Sequence, residues 1–232
     1  MRFHPTLKTT LTTSFSAAAC LPLIFAGTVL LYLFSDILKT EVNERHFTMA
    51  KTMAGEVNRF LNDYKRLLEY VTDRYSMQGS PIGYAQDQRL EALINRYRLF
   101  ECVKVLDVKG RVVALAPFRE DHIDLDQSGH SFIEKAMKAD EARWSNVYLS
   151  YRTGYPAVSL AIPFSSGMVV GDLNLSVLQD ITQEIKPGAG GYAAMVDRMG
   201  NVIAHPEKDF VLERLNASTL GLVKHGLAGE EG

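Results

Sequence analysis

The sequence predicts an α+β chain: an N-terminal transmembrane helix continuing into a long stalk helix, then small modules of antiparallel sheet. Three observations predict it. Residues 15–34 read FSAAACLPLIFAGTVLLYLF without a charge. A stripe of apolar residues at three- and four-residue steps follows as far as Tyr75. Beyond residue 100 the pattern changes to short β-rich runs separated by turn residues, the signature of paired strands.

The uncharged run comes first. About 20 residues rising ~1.5 Å each reach ~30 Å, the thickness of a hydrocarbon core. Pro22 and Gly27 lie inside the run, where neighbouring groups satisfy any freed backbone. A cleavable signal peptide has a shorter core and ends in small residues; Tyr32-Leu33-Phe34 offers no such site. Ala17-Ala18-Ala19-Cys20 makes a poor lipidation site, because the apolar stretch mostly follows the cysteine. Arg2 and Lys8 precede the run, and Asp36, Lys39 and Glu41 follow it. The positive-inside rule therefore places residues 1–14 in the cytoplasm and 15–35 in the cytoplasmic (inner) membrane, with lipid as a partner through this single span. Everything after faces the periplasm or the cell exterior.

Residues 36–78 form the stalk. Met49, Met53, Val57, Phe60, Tyr64, Leu67, Val71 and Tyr75 make one stripe, and no proline interrupts it before Pro81. Such a helix is ~60 Å long, with Gly79-Ser80-Pro81 ending it. A second helix carries Leu90, Leu93, Ile94 and Tyr97 on one face.

The first sheet module occupies 79–185. Val103 to Leu106 runs through the turn Asp107-Val108-Lys109-Gly110 and returns along Val112 to Leu115. A short helix follows with Phe132, Ile133, Ala136 and Met137 inward. Strands are expected at 146–151, 156–163 and 168–175, joined by Arg152-Thr153-Gly154 and Ser165-Ser166-Gly167, turns short enough to force antiparallel pairing. Ser176 and Gln179 have the spacing of a capping box opening a helix through Ile185. Trp144 reads as a packed edge.

Residues 186–232 form a glycine-rich linker and the start of a second, incomplete module. The reason is an internal echo: Asp107-Val-Lys-Gly-Arg-Val-Val-Ala114 recurs as Asp197-Arg-Met-Gly-Asn-Val-Ile-Ala204. The short remainder implies a truncated form of a longer protein, with exposed strand edges and a marginally stable C-terminal part.

Several function classes are excluded. A net charge of -2 without a basic, aromatic-interleaved stretch excludes a nucleic-acid partner. No HExxH, GxSxG or P-loop is present, and His46, His122, His205 and His225 show no metal-ligand spacing. The chain is therefore expected to be no enzyme in itself, with no cofactor and no metal. Cys20 and Cys102 fall in different elements and are not expected to pair.

The order of anchor, stalk, sheet module, linker and second sheet resembles the double Cache family of extracytoplasmic sensor domains, whose modules are PAS-like. The residues carrying the resemblance are 103–110, Asp126 to Phe132, Val147 to Gly154, Gly167 to Leu173 and Tyr192 to Pro206. The resemblance implies a sensor of a small solute, a carboxylate among the candidates, in a homodimeric receptor. Its output, outside this chain, is expected to be a histidine kinase; a cyclic-di-nucleotide enzyme or a chemoreceptor is the alternative. A membrane-anchored partner-binding module with no solute is the rival reading.

The resemblance also implies a pocket in the first module. It assigns His130, Phe132, Tyr148, Ser150 and Asp172 as ligand-binding residues, and the chemistry of Arg152 adds it to them. His130 stands where many members carry a carboxylate-gripping Arg, Ile133 where amino-acid binders carry Tyr, and Ser150 where they carry Asp. The amino-acid motif is therefore broken. Asp172 resembles the residue that receives a ligand ammonium. On a half-buried strand such a carboxylate needs a partner, either that cation or a neighbouring donor. Arg152 has the fork to clamp a carboxylate, and Tyr148 joins an apolar face to a polar tip.

Overall fold

The structure, a computed structural model, describes residues 7–77, 88–97, 100–188 and 190–229. The chain divides into two compact units, Met1–Lys51 and Thr52–Gly232. The expected helix stop at Gly79-Ser80-Pro81 lies outside the described residues.

Helix α1 spans Leu7–Met77, with Pro22 inside it. In the first unit its large apolar side chains stand exposed, Phe25 at 73% and Leu31 at 71%. No protein surface covers them. Among the described residues this is the one helix long and apolar enough to cross a membrane.

In the second unit the same helix becomes one-sided. Met53, Tyr64, Leu68, Val71 and Thr72 are buried, at the three- and four-residue steps of one helical face. Leu68 is the fully buried member of its turn, and Leu67 only half so, a one-residue rotation from the expected stripe. Helix α2 (Gln88–Tyr97) buries Leu90 but leaves Tyr97 exposed, narrowing the face read from the sequence.

The sheet is antiparallel, in the order β2-β1-β6-β5-β3, with β4 also pairing β5. Its strands are β1 (Phe100–Asp107), β2 (Val112–Ala116), β3 (Arg143–Trp144), β4 (Tyr148–Leu149), β5 (Pro156–Phe164) and β6 (Gly167–Asn174). Alternation along the three central strands sorts the side chains. Val103, Val105, Val158, Leu160, Val169 and Leu173 face the α1 side, where they pack with Tyr64, Leu68 and Leu90. Cys102, Leu106, Ala161, Met168 and Val170 face the other side and meet Ile133 and Ala136 of α3 (Ser131–Ala139). Each fully buried Leu contributes roughly 1.5–3 kcal/mol. The expected inward set on α3 loses Met137, which points to solvent.

The strand expected at 146–151 is only Tyr148–Leu149 (β4), and a second short strand, β3, precedes the expected range. Trp144 pairs with Leu160 and Tyr148 with Ala157, so three residues on one side, 145–147, face two on the other. That surplus is a bulge. It is fastened by Ser145 N–H to the Ser159 carbonyl at 2.8 Å and Ser159 N–H to Ser145 Oγ at 2.9 Å.

Helix α4 (Val177–Glu184) begins without a side-chain cap, so the expected capping box is not made. Gln179 turns elsewhere: its amide donates to the His205 carbonyl and accepts from the His205 N–H at 3.1 Å. A buried backbone edge competes better for a side-chain amide than a helix start that solvent can serve.

The echo in the sequence is an echo in hydrogen bonds. Asp107 Oδ1 accepts from the N–H of Lys109 and Arg111, and Asp197 Oδ1 from those of Met199 and Asn201. Val112 N–H bonds the Leu125 carbonyl as Val202 N–H bonds that of Leu215. Gly110 and Gly200 adopt φ of 83° and 81°, the left-handed region that glycine enters without strain. The second copy builds β7 (Met195–Val196), β8 (Val202–Ala204), α5 (Lys208–Leu212) and α6 (Gly221–Leu227) around Val202, Val211 and Ala217.

Candidate ligand-binding site

On the α3 side of the sheet, between the central strands, the start of α3 and the 145–147 bulge, lies a cleft of about 660 Å³. Its floor is strand side chains, Lys104 and Leu106 from β1, Ser159 from β5, Val170 and Asp172 from β6. Its walls are His122, Leu125 and Gln127 from the loop after β2, His130 to Ile133 from the α3 start, and Ser145, Asn146, Tyr148 and Tyr151. The volume suits a small organic molecule.

Asp172 is the electrostatic centre. Lys104 Nζ lies 2.7 Å from its Oδ2, and Ser159 Oγ donates to its Oδ1 at 2.7 Å. The Tyr148 hydroxyl, 2.9 Å from Ser159 Oγ, completes a chain that runs Tyr148 to Ser159 to Asp172. Register explains the grouping: Ser159 is directly opposite Asp172, and Lys104 pairs with Val170, one diagonal step from it. Burial alone would push the Lys104 ammonium down, but the Asp172 charge and hydrogen bond outweigh it and hold its pKa above the ordinary value. Burial, then the Asp172 charge, pushes Tyr148 up to about 12 and Cys102 up to about 11.

Of the residues assigned from sequence, His130, Phe132, Tyr148 and Asp172 line this cleft. Ser150 and Arg152 do not. The Ser150 hydroxyl donates to a Glu101 carboxylate oxygen, Thr153 Oγ1 donates to the other at 2.8 Å, and the Arg152 guanidinium donates to the Glu101 carbonyl at 2.7 Å. These contacts tie the β4–β5 turn to the first residues of β1. Asp172 takes the neighbouring donor of the two partners foreseen for it.

Lys104, His122, Gln127, Asn146 and Ser159 were not found by sequence reasoning. Lys104 left a signal, a lone cation within Val103-Lys-Val-Leu106, one strand repeat from Cys102 and Leu106 on the same face. His122, Gln127 and Asn146 became visible only when the loop after β2 and the bulge folded over the sheet, and Ser159 only when the register set it opposite Asp172. Among the described residues, no group of three His, Cys, Asp or Glu gathers as a metal site, and both cysteines are free.

The family described as Cache domain matches residues 34–231. The chain belongs to the Cache domain family. Among solved structures, the ligand-binding domain of the Pseudomonas fluorescens chemoreceptor CtaA in complex with L-isoleucine is similar at TM-score 0.60 and 19% identity, covering 80% of this chain and 77% of that one. The ligand-binding domain of the Pseudomonas aeruginosa PAO1 amino acid chemoreceptor PctC in complex with GABA is similar at TM-score 0.57 and 19% identity, covering 71% and 76%. An extracellular ligand binding receptor from Desulfohalobium retbaense DSM5692 is similar at TM-score 0.61 and 17% identity, covering 78% of this chain and 34% of that one. These likenesses establish the fold. The methyl-accepting chemotaxis protein McpG of Pseudomonas putida is 30% identical over 93 residues, 39% of this chain. The chain spans 15% of that relative's length.

The cleft also shares a wall with a second cavity. Ser145 and Asn146 line both the cleft and a second cavity of about 370 Å³, which is bounded by Val57 and Leu61 of α1 and by Asp197 to Met199 of the following turn. Arg214 donates to the Val147 carbonyl at 3.4 Å and lies 3.6 Å from Asp197. The bulge therefore touches the candidate site on one side and the turn at Asp197 to Met199 on the other.

Proposed function

We propose that this chain is the extracytoplasmic small-solute sensing region of a transmembrane signalling receptor. In this reading residues 1–14 lie in the cytoplasm, 15–35 cross the inner membrane and 36–78 form the stalk. Residues 79–185 are the membrane-distal ligand-binding module, and 186–232 are the linker and the start of the membrane-proximal one. The observation that carries the proposal is the cleft of about 660 Å³ floored by Lys104 and Asp172 and walled by His130, Phe132 and Tyr148. A solute with a carboxylate fits its surplus of hydrogen-bond donors. Binding biases two arrangements of the bulge and the second module, and the stalk helices pair in a homodimer. Similarity to a chemotaxis protein and to chemoreceptor ligand-binding domains favours a chemoreceptor output over the histidine kinase or the cyclic-di-nucleotide enzyme. In this reading the sensing region binds its solute and catalyses no reaction.

The test is a thermal-shift screen of the full chain in detergent against organic acids, amino acids, amines and purines. Ligand at ~100 Kd adds about 2.7 kcal/mol, a shift of several degrees. A hit that disappears in F132A supports the proposal; no shift from a folded protein across all four classes rejects it. A second reading, a membrane-anchored partner-binding module without a solute, is favoured by one observation: Asp172 is already satisfied by Lys104 and Ser159. That reading predicts the flat screen.

A further inference from the structure

Asp172 is the one acidic side chain lining the cleft among the described residues, and it is already occupied. Lys104 takes one oxygen and Ser159 the other, each at 2.7 Å, with Tyr148 bound behind Ser159. A ligand ammonium drawn to Asp172 arrives beside the Lys104 ammonium. Both Lys104 and Asp172 are largely withdrawn from solvent, at 17% and 12% side-chain exposure, so water screens that repulsion weakly.

The remaining polar groups are donors or amphoteric. Lys104 keeps two N–H bonds beyond the one spent on Asp172. The side chains of Gln127, Ser131 and Asn146 line the cleft and make no hydrogen bond among the described residues. His122 and His130 add two imidazoles. This set serves an anion and a neutral hydroxyl or carbonyl; it holds no second carboxylate to neutralise an amine.

Resting on the sensing reading above, we infer that the cleft takes an organic acid with no ammonium on its α-carbon. Its ligand is a hydroxy, keto or unsubstituted carboxylic acid, with the carboxylate on the free face of Lys104. The Lys104–Asp172 pair is the device that excludes the matching amino acid, since like charges set against each other discriminate by repulsion.

The experiment compares matched pairs on the full chain in detergent micelles by titration calorimetry: L-lactate with L-alanine, L-malate with L-aspartate, and 2-hydroxyisovalerate with L-valine. The expected result is that at least one hydroxy acid binds, and binds at least tenfold tighter than its amino partner. D172N keeps an oxygen for Lys104 while removing the negative charge, and is expected to tighten hydroxy-acid binding threefold or more. K104M is expected to abolish it. Where K104M does not fold, K104M/D172N removes both charges together and is expected to abolish it equally. An amino acid that binds as well as or better than its hydroxy partner, or hydroxy-acid binding that D172N destroys, overturns this inference and leaves the sensing reading standing. So does binding confined to amines or purines. No binding in these pairs or in the wider screen ends both.

Discussion

The Tyr64 hydroxyl of α1 sits over Gly171 of β6, where a Cβ built on the glycine would stand 2.6 Å from Oη and 3.0 Å from Leu68 Cδ1. The absent side chain is what lets the helix lie close on the sheet. Tyr64 is fully buried, with its ring centroid 4.6 Å from that of Phe100 and 5.8 Å from that of Trp144. Its hydroxyl has no hydrogen-bond partner among the described residues, and burial raises its pKa well above the ordinary tyrosine value.

Two substitutions follow from that contact. Gly171→Ala overpacks the helix–sheet layer and is expected to cost about 1–3 kcal/mol. Tyr64→Phe removes an unsatisfied buried hydroxyl and is expected to stabilise by about 1 kcal/mol. In the Tyr64→Phe background the alanine costs less, because the atom it strikes first is gone, so the two changes couple. Urea unfolding of the four proteins measures all three values. Additive effects would mean that the hydroxyl and the glycine do not share the space.

Breaking the Lys104–Asp172 pair tests how buried it is. Asp172→Ala leaves an ammonium at 17% side-chain exposure with its neutralising partner gone, and an exposed pair would cost almost nothing to break. Here the expected loss is about 2–3 kcal/mol, below the range for a wholly buried pair because some solvent reaches it. Tyr148→Phe removes only the outer end of the chain and is expected to cost about 0.5–1 kcal/mol. Equal losses for the two would mean that the tyrosine, and not the ion pair, holds the strands together.

The sequence showed the helix, the sheet and the repeat better than it showed the site, for a physical reason. Periodicity marks α1 through Met53, Tyr64 and Val71, and the Asp-x-x-Gly turn marks both modules, because each signal is local. Four of the six assigned residues line the cleft, carried there by the order of elements that the family shares. Ser150 and Arg152 stand outside it because their surroundings are set by Glu101, about fifty residues earlier in the chain. Nothing near them in sequence announces that contact. Lys104 left a signal, a lone cation in an apolar strand, and Asp172 was singled out; their pairing was not legible, since strand register decides which residue stands diagonally opposite.

Cys102 gives a check on the buried face of β1. It is 4% exposed, and burial with the nearby Asp172 charge lifts its thiol to about 11. Only the thiolate reacts, so alkylation by iodoacetamide at pH 8 is suppressed twice, by access and by charge state. In a Cys20→Ser background, native protein is expected to stay unlabelled over hours and to label within minutes in denaturing urea. Rapid native labelling would show that β1 opens locally.

Gln179 is the side chain whose loss should loosen the β7–β8 segment without disturbing the cleft. Its amide makes two hydrogen bonds to the backbone of His205, and both residues are buried. Around His205 the rings of Tyr192 and Phe210 close at centroid distances of 4.7 and 4.6 Å, so water does not easily replace the lost amide. Gln179→Ala is expected to cost about 2 kcal/mol, read as roughly 30-fold faster hydrogen exchange at the His205 amide and the β7–β8 turn. The amides of β5 and β6 should keep their protection, because their pairing involves neither residue. If those strands lose protection in step with His205, the main sheet and the β7–β8 segment unfold as one cooperative unit. A solute in the cleft would then act on that whole unit and not on a joint between its halves.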